Sequence, residues 1–222
     1  MPEIIKPEVI RIDPGNPEQA LIDRAVEILR GGGVIAYPTE TFYGLGAHAG
    51  NAEAVEKISI IKGRPFAKPI ALIMGNEENM EELVREVSPA SRRLMEAFWP
   101  GALTLVFNAS SRILPPLTAE TGTIGIRISS HPIASAIAKT LHFPITATSA
   151  NLSGEGECST AEEVAERLDE KIDAIIDGGA ARGGVGSTVL NMTIDPPVII
   201  REGAIPASSI YALLGKRHET FR

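Results

Sequence analysis

One cysteine, Cys158, stands in 222 residues, and that scarcity excludes an internal disulfide and any multi-cysteine metal centre. A lone thiol suits a reducing compartment. Histidine is almost as scarce. His48, His131, His142 and His218 show neither H-E-x-x-H nor any paired spacing, so no zinc site built by the chain is expected, and each reads as a cap or surface residue. No uninterrupted apolar run reaches bilayer-spanning length, and the opening Met-Pro-Glu-Ile-Ile-Lys lacks a signal-peptide core, so the expected location is the cytoplasm. An excess of positive charge is missing too. With a formal net charge of −7, a broad nucleic-acid-binding face would need strong charge segregation.

Three common motifs also fail. The glycine run over residues 178–188 invites a phosphate-loop reading, but Gly186 precedes Ser187 where a P-loop requires Lys. No G-x-G-x-x-G joins a strand to a helix, which removes the dinucleotide fingerprint. Ser149 has no G-x-S-x-G elbow, so pairing it with His131 as nucleophile and base is unsupported, and its loop reads as a hydrogen-bonding one.

What remains is ample for a core: 44% hydrophobic residues, an ordinary 22% charged, and 21 Gly with 16 Pro for tight connections. One domain over residues 1–222 is expected, its core at about 12–204 with a short helix and tail at 205–222. Apolar runs predict strands at Val9–Ile12, Val34–Tyr37, Ile70–Met74, Leu103–Phe107, Thr123–Ile128, from Ile145, and at Ala174–Ile176, Val189–Met192 and Val198–Ile200. Helical spacing predicts a helix capped by Asn16 and ended by Gly31-Gly32-Gly33, with others at Asn51–Ile61, Glu77–Val87, Pro89–Phe98, from His131-Pro132, from Thr160, and near Ser208–Leu214. Residues 38–46 and 114–117 read as loops. Without strict βαβ alternation, the pattern implies an α/β sheet of mixed parallel and antiparallel strands.

The most pointed stretch is Lys62-Gly-Arg-Pro-Phe-Ala-Lys-Pro69. No acidic residue lies between Ile58 and Met74, so Lys62, Arg64 and Lys68 have no carboxylate nearby in sequence, and the prolines stiffen the loop that carries them. Arg127 and Arg201 each end an apolar strand, where a cation must find an anion or sit at a pocket mouth. Ion pairing is the structural alternative. Cations spread over separate loops are also what a polyphosphate cavity needs.

Taken with Pro38-Thr-Glu-Thr-Phe-Tyr-Gly-Leu-Gly46, Trp99-Pro-Gly-x-Leu-Thr104, Ile126-Arg-Ile with His131-Pro132, Thr148-Ser-Ala-Asn-x-Ser-Gly154, Ser187-Thr-Val189 and Arg201-Glu-Gly203, the cationic loop makes the chain resemble the YrdC-like family of threonylcarbamoyl-AMP synthases. That resemblance implies an open twisted mixed sheet flanked by helices, with a deep positively charged cavity. It implies ATP, L-threonine and bicarbonate as substrates, Mg2+ with the ATP, and a tRNA threonylcarbamoyl-transfer machinery downstream. It assigns Thr41, Arg127, Ala147 and Ser187 to threonine, and Lys62, Arg64, Lys68, Thr123, Ser149, Asn151 and Arg201 to the nucleotide, Lys62 and Arg64 being the expected catalytic pair. Longer relatives place a His at the position of Ile73, so this chain departs from them there, and it reads as a single-domain form. The rival readings are a paralogue making another carbamoyl-adenylate and an RNA-binding module, which the acidic balance disfavours.

Overall fold

Strict alternation of side chains along the strands sets the architecture, because successive residues of a strand point to opposite faces. In a computed structural model, which describes residues 6–63 and 68–215, ten strands form one sheet. They are β1 (Glu8–Arg11), β2 (Ile35–Pro38), β3 (Tyr43–Gly46), β4 (Ala71–Met74), β5 (Leu103–Asn108), β6 (Thr123–Ile128), β7 (Ile145–Ser149), β8 (Ala174–Asp177), β9 (Thr188–Asn191) and β10 (Val198–Arg201). Their order across the sheet is β1-β8-β2-β3-β7-β4-β6-β5-β9-β10. The sheet is mixed: β1/β8, β2/β8, β4/β6 and β5/β9 pair in parallel, the remaining neighbours antiparallel.

Among the described residues eight α-helices cover it: α1 (Gln19–Arg30), α2 (Ala52–Ile61), α3 (Met80–Leu83), α4 (Pro89–Phe98), α5 (Pro115–Thr118), α6 (Pro132–Leu141), α7 (Ala161–Leu168) and α8 (Ala207–Leu213). They divide unequally. Ile22, Val26 and Leu29 of α1 and Ile133, Ile137 and Leu141 of α6 pack on Ile35, Tyr37, Ile73 and Ile145, forming one core cluster. The other six helices contribute to a second cluster on the opposite face, with Ala36, Leu45, Leu72, Leu103, Leu105, Ile124, Ile126 and Leu190. Each such fully buried Ile or Leu contributes roughly 1.5–3 kcal/mol.

Being only two, α1 and α6 cover just part of their face. Over β4, β6, β5 and β9 that face carries Ala71, Thr123, Gly125, Arg127, Thr104, Val106 and Val189, each alternating with a residue of the six-helix core, and there it opens into a cavity.

Several expectations need correction. Helix α1 begins two residues later than an Asn16 cap would place it, at an N-cap Glu18 whose side chain makes no capping bond. Residues 38–46 contain strand β3, hidden in sequence by two glycines; a Cβ on Gly46 would lie 2.7 Å from the Tyr37 ring, so only glycine lets the ring pack there. The helix expected over 77–87 shrinks to α3, because Val84 turns extended and bridges to Ala109. Pro115–Thr118 is a short helix rather than a loop. Helix α4, matching its expected bounds, buries Ser91, Leu94 and Met95. At α7 the Thr160 hydroxyl accepts from the Glu163 amide at 3.2 Å, while the Glu163 carboxylate takes the Ser159 amide at 2.6 Å, one residue earlier than a capping box would.

Candidate functional site

The open part of the face encloses about 640 Å3. Of the residues singled out in sequence, Thr41, Lys68, Thr123, Arg127, Ala147, Ser149, Ser187 and Arg201 all line it, brought there by six different elements and loops. Lys62 and Asn151 stand directly behind Ser149 instead. Arg64 lies outside the described residues.

One wall is the turn between β2 and β3. The Thr39 hydroxyl donates to the Phe42 carbonyl at 2.7 Å and accepts from the Thr41 amide at 3.2 Å, which closes the turn and places Thr41 3.1 Å from it, hydroxyl to hydroxyl. Tyr43, next along, donates to the Gly179 carbonyl at 2.7 Å, and burial pushes its phenol up to about 12, so it stays a neutral strut. Glu40, between the two threonines, points the other way. One of its carboxylate oxygens pairs with Arg127 Nη1 and the other accepts from the Ser129 hydroxyl. Arg127 is 6% exposed, so the pair is nearly dry.

The opposite wall is the start of β9. Ser187 Oγ lies 3.0 Å from Thr104 Oγ1 on the neighbouring strand, and the Arg201 guanidinium donates to the Ser187 carbonyl at 2.9 Å and to its hydroxyl at 3.2 Å. Thr188 points out of the cavity and pins the following turn: its hydroxyl donates to the Ile205 carbonyl at 2.6 Å and accepts from the Gly203 amide at 2.9 Å. A Cβ on Gly203 would come within 2.2 Å of the Gly186 carbonyl oxygen, so this close approach of two backbones requires glycine.

The floor between these walls is the end of β7. The Lys62 ammonium, on a residue 5% exposed, donates to the carbonyls of Ser149 at 2.7 Å and Asn151 at 2.8 Å and to Asn151 Oδ1 at 2.6 Å. Asn151 Oδ1 also accepts from Ser149 Oγ at 2.6 Å, and its amide nitrogen donates to the Glu155 carbonyl at 2.7 Å. Lys62 thus holds the turn that presents Ser149 to the cavity. Ile73 is fully buried in the cluster under α1 and α6 and does not line the cavity.

Among the described lining residues the charged groups are Lys68, Arg127, Arg201 and Glu157. Sequence reasoning assigned no role to Glu40, Thr104 or Glu157. Thr104 had a usable signal, a polar residue alternating with Leu103 and Leu105 in a strand; Glu40 had none beyond its place beside Thr41. No group of three or more His, Cys, Asp and Glu that would hold a metal ion occurs among the described residues. Nor is any described helix long and apolar enough to cross a membrane.

Comparison with known proteins agrees with this fold. The threonylcarbamoyl-AMP synthase of Bacillus subtilis is 43% identical over 198 residues, covering 89% of this chain and 57% of that protein. The crystal structure of Pyrococcus abyssi Sua5 complexed with L-threonine superimposes with a TM-score of 0.90 at 38% identity, covering 94% of this chain and 61% of that one. This chain therefore spans about three fifths of these relatives. The Escherichia coli protein YciO, whose function is uncharacterized, is 38% identical over 196 residues and is matched over 93% of its length. Residues 27–203 match the family model Sua5/YciO/YrdC, described as "Telomere recombination". Fold and sequence agree, and the chain belongs to the Sua5/YciO/YrdC family.

Proposed function

We propose that the cavity condenses ATP, L-threonine and bicarbonate to threonylcarbamoyl-AMP and pyrophosphate. The observation that carries this reading is the convergence of Thr41, Arg127, Ala147 and Ser187 with Lys68, Thr123, Ser149 and Arg201 around a single hollow, in a chain 43% identical to a protein of that name. The threonine carboxylate goes to Arg127 and its side chain toward Thr41, with Ser187 and the backbone at Ala147 completing the sub-site. The nucleotide lies toward Lys68, Thr123, Ser149 and Arg201. Lys62 and Asn151 serve it by fixing the turn at Ser149, and Arg64 is assigned to its phosphates.

The reaction asks for no protein nucleophile. The threonine amine adds to the carbon of bicarbonate, water leaves, and the resulting carbamate oxygen attacks the α-phosphorus as the bond to pyrophosphate breaks. The protein contributes alignment and neutralisation of charge on the departing pyrophosphate. Mg2+ arrives on the ATP phosphates as part of that substrate. A walled cavity keeps water from the labile carbamate. The product, a mixed anhydride, passes to a tRNA-modifying transfer machinery in the cytoplasm, and direct RNA binding is weak or absent.

The test is pyrophosphate release from ATP and Mg2+, with bicarbonate present or omitted, and with L-threonine, L-serine, glycine or no amino acid. Release that requires both threonine and bicarbonate is expected. Release with serine or glycine in preference to threonine would instead select a paralogue that makes another carbamoyl-adenylate.

A further inference from the structure

Glu40 carries no assigned role, yet it is the residue that holds Arg127. It lies in the turn after β2, 87 residues away in sequence, and is brought to β6 only by the fold. Both of its carboxylate oxygens are committed, one to Arg127 Nη1 and one to Ser129 Oγ, and the Ser129 hydroxyl in turn accepts from the His131 amide at 3.2 Å. The two side chains are 15% and 7% exposed. Glu40 itself does not line the cavity, whereas Arg127 does.

A buried Arg needs a permanent anion, because its charge in a dry site is costly if left unpaired. An ion pair with Ser129 bracing the far oxygen goes beyond neutralisation. It fixes the carboxylate plane, so that one edge of the guanidinium is held and the remaining N–H groups are left in one orientation. A planar fork held in this way is pre-organised for a second carboxylate. We infer that Glu40 is a positioning residue that orients Arg127 to receive the carboxylate of the amino-acid substrate, with Ser129 as its brace. This rests on the amino-acid sub-site proposed above.

Two effects of Glu40 oppose each other. Its charge repels an incoming carboxylate, while its geometry aims the guanidinium at one. Glutamine separates them: its Oε1 still accepts from Arg127 and its Nε2 donates to Ser129, so shape survives and charge does not.

The experiment is binding of L-threonine, L-serine and glycine, and separately of ATP, by calorimetry to the wild-type protein, Glu40→Gln, Glu40→Ala and Ser129→Ala. Positioning predicts that Glu40→Gln binds the amino acid as well as wild type or better, while Glu40→Ala weakens it about tenfold or more, the lower range for loss of an orienting partner. Ser129→Ala, which leaves the ion pair in place, weakens it severalfold, and it carries the test if Glu40→Ala fails to fold. ATP binding stays within about twofold throughout, since no added contact to the nucleotide is lost. Equal weakening by Gln and Ala would mean that charge matters and aim does not, and would overturn the inference, as would unaltered amino-acid binding in both Glu40→Ala and Ser129→Ala. If wild type prefers serine or glycine, the threonine assignment fails and the same variants are scored with the preferred amino acid. If it binds no amino acid, Arg127 is not a carboxylate receptor and the inference falls.

Discussion

Replacing Lys62 with Met separates the phosphate-ligand role that the sequence suggests from the internal brace that the structure shows. Methionine keeps most of the aliphatic stem and deletes the ammonium. In the structure that ammonium satisfies the Ser149 and Asn151 carbonyls at 2.7 and 2.8 Å, together with Asn151 Oδ1 at 2.6 Å. Leaving a buried acceptor unpaired costs about 1–3 kcal/mol. The Asn151 carbonyl loses this donor, whereas the Ser149 carbonyl keeps the Asn151 amide at 2.9 Å and Asn151 Oδ1 keeps the Ser149 hydroxyl. Against that stands the relief of no longer burying an ammonium, which offsets part of the loss. The net expectation is a destabilisation of about 1–2 kcal/mol, read as a lowered urea midpoint at unchanged slope. Amide hydrogen exchange should accelerate most over residues 149–156, the turn that Asn151 closes onto the Glu155 and Gly156 carbonyls. A variant with native stability and native exchange, but with weakened ATP binding, would refute the bracing argument and make Lys62 a nucleotide ligand alone.

Replacing Arg127 with Ala should raise the threonine requirement more than the ATP requirement, by tenfold or more for a lost charge-assisted contact of about 1.5–3 kcal/mol; the opposite ranking in pyrophosphate-release kinetics would exchange the two sub-sites. Gly203→Ala forces a methyl to within 2.2 Å of the Gly186 carbonyl oxygen, so the 186–188 backbone must shift, lowering stability by about 1–3 kcal/mol and disturbing Ser187 and Arg201 together. Burial holds His131 below its ordinary value of 6.5, with Glu40 opposing. The unfolded chain therefore takes up a proton before the folded one does, and stability is full above about pH 6.5 and falls as pH drops through the folded value. His48, also lowered by burial, has the same sign, so His131→Asn should shallow the loss of urea midpoint between pH 7.5 and 5.5 without abolishing it.

Much of this architecture was legible because each element obeys its own period. Val34 to Tyr37, Thr123 to Ile128 and Pro89 to Phe98 carry strong apolar or helical patterns, and the structure places strands or helices within a residue of where they predict. Failures came where tertiary contact overrode local pattern. Tyr43-Gly-Leu-Gly46 lacks a strand composition, and its glycines answer to the Tyr37 ring on the paired strand. The acidic run at 77–82 favours a helix, but Val84 is taken by a bridge to Ala109, which ends α3. In the site, cations announced themselves by lacking partners nearby in sequence. Glu40 did not, since a carboxylate in a turn reads as solvated until the fold brings Arg127 to it.

The alternation along β5, β6 and β9 has a consequence for how this site can change. Leu103, Leu105, Ile124, Ile126 and Leu190 hold the protein together, while their immediate neighbours Thr104, Val106, Thr123, Gly125 and Val189 face the hollow. Recognition and folding are thus written on odd and even positions of the same short segments. Substitutions confined to the cavity-facing set can reshape what is bound while the opposing set keeps the sheet intact, so one scaffold can accommodate relatives that differ in substrate while sharing their strands almost residue for residue.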